Sequence, residues 1–348
     1  MMFRGIFKSC KSIDSILLIC IMLLFTWNML KLYAKMNAGT SSRILQRKAS
    51  FPSETNISMN QHEARYNGQN LRYVLNSPDL CRRHGQADYV TLVILVITSA
   101  PYFKARQNWR NSVQIREHKK VRVLFVVEKP QNDTIAAKLK EEHRQFGDVI
   151  CMNFAADNKV AESLRCLSGL RWIQNFCPQT GYVLIARMNA MVMVSTVLEY
   201  LDKLPPSEKE TLYSGVVVHR NALVKRSGQW AVTKEEWPNG TYPDYIQYDV
   251  IFLSGKSASI MADTSRKTEV FKIPDVYFGI LAKEAKDRII ASEAIIGSVL
   301  RHENVKDEFT DFCKMTKFLY IIADNPDQDM QKGWDTLRDR KELLCQYS

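Results

Sequence analysis

The 348-residue sequence has 8 cysteines but no CxxC pair and no cysteine–histidine spacing of the zinc-finger type. That argues against structural zinc and thioredoxin-like redox chemistry. It has no compact lysine/arginine run. The net charge of +11 is scattered along the chain, which describes a generally positive surface rather than a nucleic-acid footprint. No internal repeat or low-complexity tract is present. None of the 6 histidines stands in a nucleophile motif, so a Ser/His/Asp hydrolase is unsupported. With 14 glycines, 46% hydrophobic and 24% charged residues, the chain is neither collagen-like nor wholly disordered.

What is present begins with an apolar segment. Residues 15–30 are uncharged and mostly apolar, preceded by Arg4, Lys8 and Lys11 and followed by Lys31 and Lys35. As a helix this run spans about 24 Å, short of a bilayer core of about 30 Å. Extension to 13–33, with Lys31 snorkelling, reaches a workable length. A short span suits the thinner membranes of the early secretory pathway. No A-x-A cleavage site follows, so an uncleaved anchor is favoured over a signal peptide. Sequons at Asn56, Asn132 and Asn239 and six cysteines all lie after the anchor. Together they place the carboxyl-terminal bulk in an oxidising lumen. The cysteines have two readings, disulfides or buried thiols.

The expected organisation is a cytoplasmic tail (1–12), a transmembrane anchor (13–33), a polar stem (34–80) and a folded lumenal domain (81–348). Within that domain, apolar β-branched runs at 89–97, 121–127, 148–152 and 182–186 alternate with helical patterns at 104–117, 135–146 and 161–176. Asp133 or Thr134 is the expected N-cap of the second helix. Strand–helix alternation predicts an α/β fold with a mostly parallel, Rossmann-like sheet and flanking helices. Ligands of such sheets bind beyond the carboxyl ends of the strands, which directs attention to residues just after Ala186. Residues 211–256 read as a loop-rich region holding Trp230, Trp237, Tyr242, Tyr245 and Tyr248. Such aromatics suit sugar rings or ordinary core packing.

Several motifs stand in a fixed order. They are Ser99 and Pro101 followed by Arg106, Arg110 and Ser112; Glu142, Phe146 and Asp148; Trp172 with Cys177-Pro178; Tyr242-Pro243-Asp244-Tyr245; and Pro274-Asp275-Val276-Tyr277-Phe278-Gly279. Over residues 90–300 the chain resembles the β1,3-galactosyltransferase-like glycosyltransferases, type II Golgi membrane proteins of GT-A fold. The resemblance implies an inverting transferase. It would move a hexose (Gal, GlcNAc or GalNAc) from a UDP-sugar to the 3-hydroxyl of an acceptor glycan in protein or lipid glycosylation. Asp275 matches the family's catalytic base, although local sequence equally allows a helix N-cap there. Arg106, Arg110, Arg187 and Asn189 are the implied donor-binding residues, with ordinary helix charges the alternative for the first two. Trp230, Tyr242 and Tyr245 are candidates for the acceptor. A Golgi membrane location is implied, no nucleic-acid partner, and a partner glycosyltransferase is conceivable.

The family also implies Mn²⁺, held against the diphosphate by an Asp cluster after the strand at 182–186. Here that place is read as Asn189, Ala190 and Met191, which offer a hard cation one amide oxygen. Arg187 would instead bring fixed positive charge. No metal ligand is therefore assigned. The sequence leaves two functions open: an active, metal-independent transferase, or a catalytically inactive relative that binds glycan or a partner transferase.

Overall fold

The computed structural model describes residues 64–66, 69–83, 86–87, 89–112, 115, 118–155, 159–215, 217–286, 289, 291–293, 299–301, 312–323 and 328–339. The expected anchor at 13–33, the sequon at Asn56 and Cys345 lie outside these residues. Among the described residues no helix is long and apolar enough to cross a membrane.

In chain order the first elements are β1 (Ala64–Tyr66), β2 (Gln69–Leu71), β3 (Tyr73–Leu75), β4 (Arg82–Arg83), β5 (Gln86–Ala87), β6 (Leu92–Ile97) and α1 (Phe103–Arg110). Then come β7 (Val121–Glu128), α2 (Asp133–Phe146), β8 (Val149–Met152), α3 (Ala161–Phe176), β9 (Tyr182–Arg187), β10 (Ala190–Val192), α4 (Val194–Lys203) and α5 (Pro206–Thr211). The rest are β11 (Tyr213–Gly215), β12 (Val218–His219), β13 (Tyr245–Ile246), β14 (Val250–Ser254), α6 (Gly255–Thr264), α7 (Pro274–Glu284), β15 (Ser292–Glu293), β16 (Val299–Arg301), α8 (Phe312–Met315), β17 (Tyr320–Ile322) and α9 (Asp329–Asp339).

Eight strands form the main sheet in the order β15, β11, β14, β9, β6, β7, β8, β3. Its centre, β9–β6–β7–β8, is parallel, as the strand–helix alternation predicts. β14, β3 and β11 add antiparallel pairings on its flanks. All six residues of β6 are buried, because a central parallel strand is covered on both faces. Its side chains alternate: Leu92, Ile94 and Val96 enter one apolar cluster with Trp109, Leu139 and Val197. Val93, Leu95 and Ile97 enter the opposite cluster with Leu170, Ile173, Met261 and Tyr277. Each such aliphatic side chain contributes about 1.5–3 kcal/mol on full burial.

Helix α3 occupies the range its periodicity predicts. Helix α1 stops at Arg110, short of the predicted 117, where Asn111 and Ser112 bond back to the Gln107 and Trp109 carbonyls. Helix α2 is capped by Asn132, not by Asp133 or Thr134: its side-chain oxygen accepts the Ile135 N–H at 3.0 Å. Asn132 has extended backbone, as a cap requires, while Asp133 is already helical.

The stem expected to reach residue 80 ends earlier. Tyr73–Leu75 is the sheet's edge strand, and Leu71 and Ser77 are buried. Cys81, just after this segment, is disulfide-bonded to Cys177 at the end of α3. Cys313 is also disulfide-bonded, whereas Cys151 and Cys166 are buried free thiols; both readings of the cysteines are thus realised. Residues 211–256 are less loop-like than expected, since β14 runs between β9 and β11 in the main sheet. A second sheet, β10–β17–β16, brings the carboxyl-terminal region against the end of β9.

Candidate active site

Arg187 is the last residue of β9 and pairs in register with Ile97, the last of β6. Beyond this carboxyl edge lies a cavity of about 280 Å³. Arg187, Trp230, Tyr242, Tyr245 and Asp275, five residues singled out in the sequence, all line it, together with Lys225, Gln247, Tyr248 and Asp249. Residues far apart in the chain meet here because β9, the 220–248 loop and the start of α7 converge at one end of the sheet.

Asp275 stands in the first turn of α7, directly after Pro274. Proline suits this position, since an N–H there has no intrahelical partner. The N-cap is Ile273, not Asp275. The carboxylate instead accepts the Val276 N–H at 3.0 Å. Burial raises its pKa above the ordinary carboxylate value; backbone hydrogen bonds, Arg187 and His219 oppose the shift without cancelling it. The result is a carboxylate with increased proton affinity, facing a cavity.

The aromatic wall is built as a unit. Tyr242 packs edge-on against Tyr245 and Phe271, and Trp237 against Phe271. The His219 ring stacks on Tyr245 with centroids 4.8 Å apart. Burial, then the nearby Asp275 charge, pushes the Tyr245 phenol up to about 12. Tyr242 is buried and its hydroxyl has no hydrogen-bond partner. Trp230 remains 47% exposed at the cavity. Arg226 holds the loop that carries these rings. Its guanidinium donates to the carbonyls of Val232, Thr233, Trp237 and Asn239 at 2.7–3.0 Å.

Arg187 is fixed from below and beside. Its guanidinium lies 4.9 Å from the Tyr248 ring centroid and 3.5 Å from a Glu162 oxygen. Its backbone N–H bonds to the Asp249 carbonyl. Tyr248 is itself buried and accepts a hydrogen bond from the Cys166 thiol at 3.2 Å. In the sequence Tyr248 stands out only as one of the aromatics of the 211–256 region, and Glu162, His219 and Asp249 do not stand out at all. Of these, only the aromatic Tyr248 within a Tyr/Trp-rich stretch carried a usable signal.

Arg106 and Arg110 do not belong to this site. Arg106 is fully buried, and each of its three nitrogens is engaged, by Glu142 or by the Ser99 and Ala100 carbonyls. Arg110 makes a two-bond pair with Asp148 at 2.7 Å, reaches Glu142 at 2.8 Å and lies over Phe146. The structure places both in a buried ion-pair network that joins α1 to α2 and to Asp148, just before β8, and neither lines the cavity. Asn189 does not line the cavity either. It exchanges two hydrogen bonds with Ala323, its amide donating to the Ala323 carbonyl at 3.0 Å. Asn132 and Asn239, of the two described sequons, are both exposed.

The family model described as Galactosyltransferase matches residues 104–292, more than half of the chain. The chain belongs to the galactosyltransferase family. Membership makes it a glycosyltransferase. It is 21% identical over 283 residues to mouse (Mus musculus) beta-1,3-galactosyltransferase 1, covering 80% of this chain and 82% of that one. It is also 26% identical over 198 residues to mouse UDP-GlcNAc:betaGal beta-1,3-N-acetylglucosaminyltransferase 8, covering 55% and 49% respectively. Among solved structures, a galactosyltransferase in complex with donor and acceptor sugar analogues overlaps 72% of this chain and 98% of that one. The TM-score is 0.39 and the identity 9%.

The divalent cation of the family has no fitting donor set at the end of β9. Ala190 and Met191 are fully buried within β10 and face the core. The connection between β9 and β10 is therefore only Met188 and Asn189, entered from Arg187. These three offer a guanidinium, a thioether that the Thr98 hydroxyl contacts, and an amide already bonded to Ala323. Hard cations require several oxygen ligands. Among the described residues no group of three or more His, Cys, Asp or Glu side chains is arranged to hold a metal.

Proposed function

We propose that this family member is an inverting hexosyltransferase. It transfers Gal, GlcNAc or GalNAc from a UDP-sugar to the 3-hydroxyl of an acceptor glycan. The observation that carries this reading is the joint placement of Asp275 and Arg187 on one aromatic-walled cavity at the carboxyl edge of the sheet. Asp275 takes the acceptor hydroxyl proton as that oxygen bonds to the donor's anomeric carbon. The bond from that carbon to the diphosphate breaks on the opposite face, and UDP leaves with the electron pair. One base suffices, because the leaving group is already a stable anion. Burial makes Asp275 the stronger base. Trp230, Tyr242 and Tyr245 supply flat surfaces for the acceptor's sugar rings.

The reading includes a Golgi membrane location with the domain in the lumen. The Cys81–Cys177 disulfide supports an oxidising compartment. The test is turnover by the full-length chain with UDP-Gal, UDP-GlcNAc and UDP-GalNAc against terminal galactoside, glucosaminide and galactosaminide acceptors. Each is run with Mn²⁺ and with EDTA. A 1,3-linked product that vanishes in Asp275→Asn is expected. Absence of transfer from every donor under both conditions would overturn the reading.

A further inference from the structure

Arg187 lines the cavity at the carboxyl edge of the sheet, and its guanidinium is held there by its neighbours. Tyr248 gives it a flat shelf, Glu162 fixes one end, and the backbone of Arg187 is hydrogen-bonded to Asp249. The shelf is anchored in turn, since the Tyr248 hydroxyl is buried against the Cys166 thiol. One donor at this edge remains unused. The Nε atom of Arg187 is buried with no hydrogen-bond partner. Buried donors are rarely left unmade without a ligand or water to receive them. A divalent cation at the same place would face a fixed positive charge and a turn lacking carboxylates.

We propose that Arg187 replaces the divalent cation and that this protein binds the diphosphate of its nucleotide donor without metal. The inference rests on the UDP-sugar reading and specifies how that site holds its anion. Guanidinium pairs with phosphate oxygens through paired N–H bonds, so it provides both charge and orientation. Glu162 keeps Arg187 in place when the site is empty and competes with phosphate for it. The pair is exposed enough, at 40% and 35% for the two side chains, for an anion to displace or share the contact.

The test is calorimetric titration of the full-length chain with UDP, UMP and inorganic pyrophosphate, each in Mn²⁺ and in EDTA. UDP is expected to bind with the same Kd, within about two-fold, in both conditions. Arg187→Ala should weaken UDP and pyrophosphate binding about ten-fold or more, as expected for a lost charge-assisted contact, while changing UMP far less. Arg187→Lys should recover part of the loss, and Glu162→Gln should tighten UDP. A matching thermal melt of each variant shows that the effect is not unfolding. UDP binding that requires Mn²⁺, or an Arg187→Ala variant with unchanged UDP affinity, would overturn this inference while leaving the transferase reading intact. Failure of UDP and UDP-sugars to bind in either condition, with no transfer, takes down both.

Discussion

Gly279 of α7 lies so close to Asp244 that a β-carbon at position 279 would stand 2.6 Å from the Asp244 carbonyl oxygen and 2.7 Å from the Tyr245 β-carbon. This contact sets how near the helix carrying Asp275 approaches the strand carrying Tyr245. Gly279→Ala must push the two apart. Overpacking of this kind costs about 1–3 kcal/mol, offset by roughly 0.5–1 kcal/mol of improved helix propensity. The expected outcome is a small fall in melting temperature with a disproportionate loss of kcat. Unchanged kcat in a folded Gly279→Ala protein would show that the spacing is not critical.

Asp275 should affect stability and activity in opposite senses. Its folded-state pKa is raised by burial, so the folded protein prefers the neutral acid. Stability associated with that preference is present at low pH. It is lost as pH rises from the ordinary carboxylate value through the folded value. Near neutrality the ionised group therefore costs stability, and Asp275→Asn should melt higher than the wild type while losing transfer. The acid limb of kcat/KM in the wild type should lie above the ordinary carboxylate range. A limb at or below that range, or a variant that melts lower at neutral pH, would contradict this assignment.

The central sheet was legible because its physics is local. The β-branched runs of β6 and β7 are buried on both faces, and the α3 pattern repeats at helical spacing. The short edge strand Tyr73–Leu75 gave no signal, since three residues carry no period and its neighbours are polar. Arg106 and Arg110 resembled a phosphate clamp because their partners, Glu142 and Asp148, lie 36 and 38 residues away. Charge pairing over that distance leaves no trace in spacing. The aromatic residues were visible, but their assembly depends on Arg226, whose acceptors are backbone carbonyls with no residue signature. Pinning of the Asn189 turn by Ala323 belongs to the carboxyl-terminal segment, which lacks any motif.

Arg106 provides a direct contrast between structural and ligand-binding roles. Removing it takes away one of the two arginine partners of Glu142, which is only 7% exposed, and leaves Arg110 as the other. Removing a member of a buried charge network costs up to about 3–5 kcal/mol, and the remaining Arg110 contact keeps the cost toward or below the lower end. Arg106→Ala should therefore show a drop in denaturant midpoint. At temperatures where the variant stays folded, its UDP affinity should match the wild type. A donor-binding role would give the reverse pattern, with weakened UDP binding in a protein of normal stability.

The Cys81–Cys177 disulfide closes a loop with a sequence separation of 96. In the chain-entropy model a loop of this size contributes about 4–5 kcal/mol by restricting the unfolded chain. Cys81→Ser should lower stability by an amount of this order and should expose β3 to proteolysis first, since β3 and its approach are tied to α3 through this bond. Cys166→Ser should lack that loop-closure penalty, because its partner is a hydroxyl, not another sulfur. Equal stability of Cys81→Ser and wild type under non-reducing conditions would contradict the loop-closure argument.

Trp230 separates acceptor binding from everything else in the site. It lines the cavity yet is 47% exposed, beside Leu223 at 79%. Exposed side chains of this kind contribute little to folding, so Trp230→Ala should change stability by no more than about 0.5 kcal/mol. If a sugar ring covers the indole, roughly 50–80 Å² of apolar surface leaves water, equivalent to about 1–2 kcal/mol. The acceptor KM should then rise about five- to thirty-fold, with the Kd for UDP unchanged. Arg187→Ala should do the opposite, weakening UDP and sparing acceptor affinity. A Trp230→Ala variant that loses UDP binding would place the donor, not the acceptor, against this ring. The two ends of the cavity would then have to be exchanged in the proposed reaction.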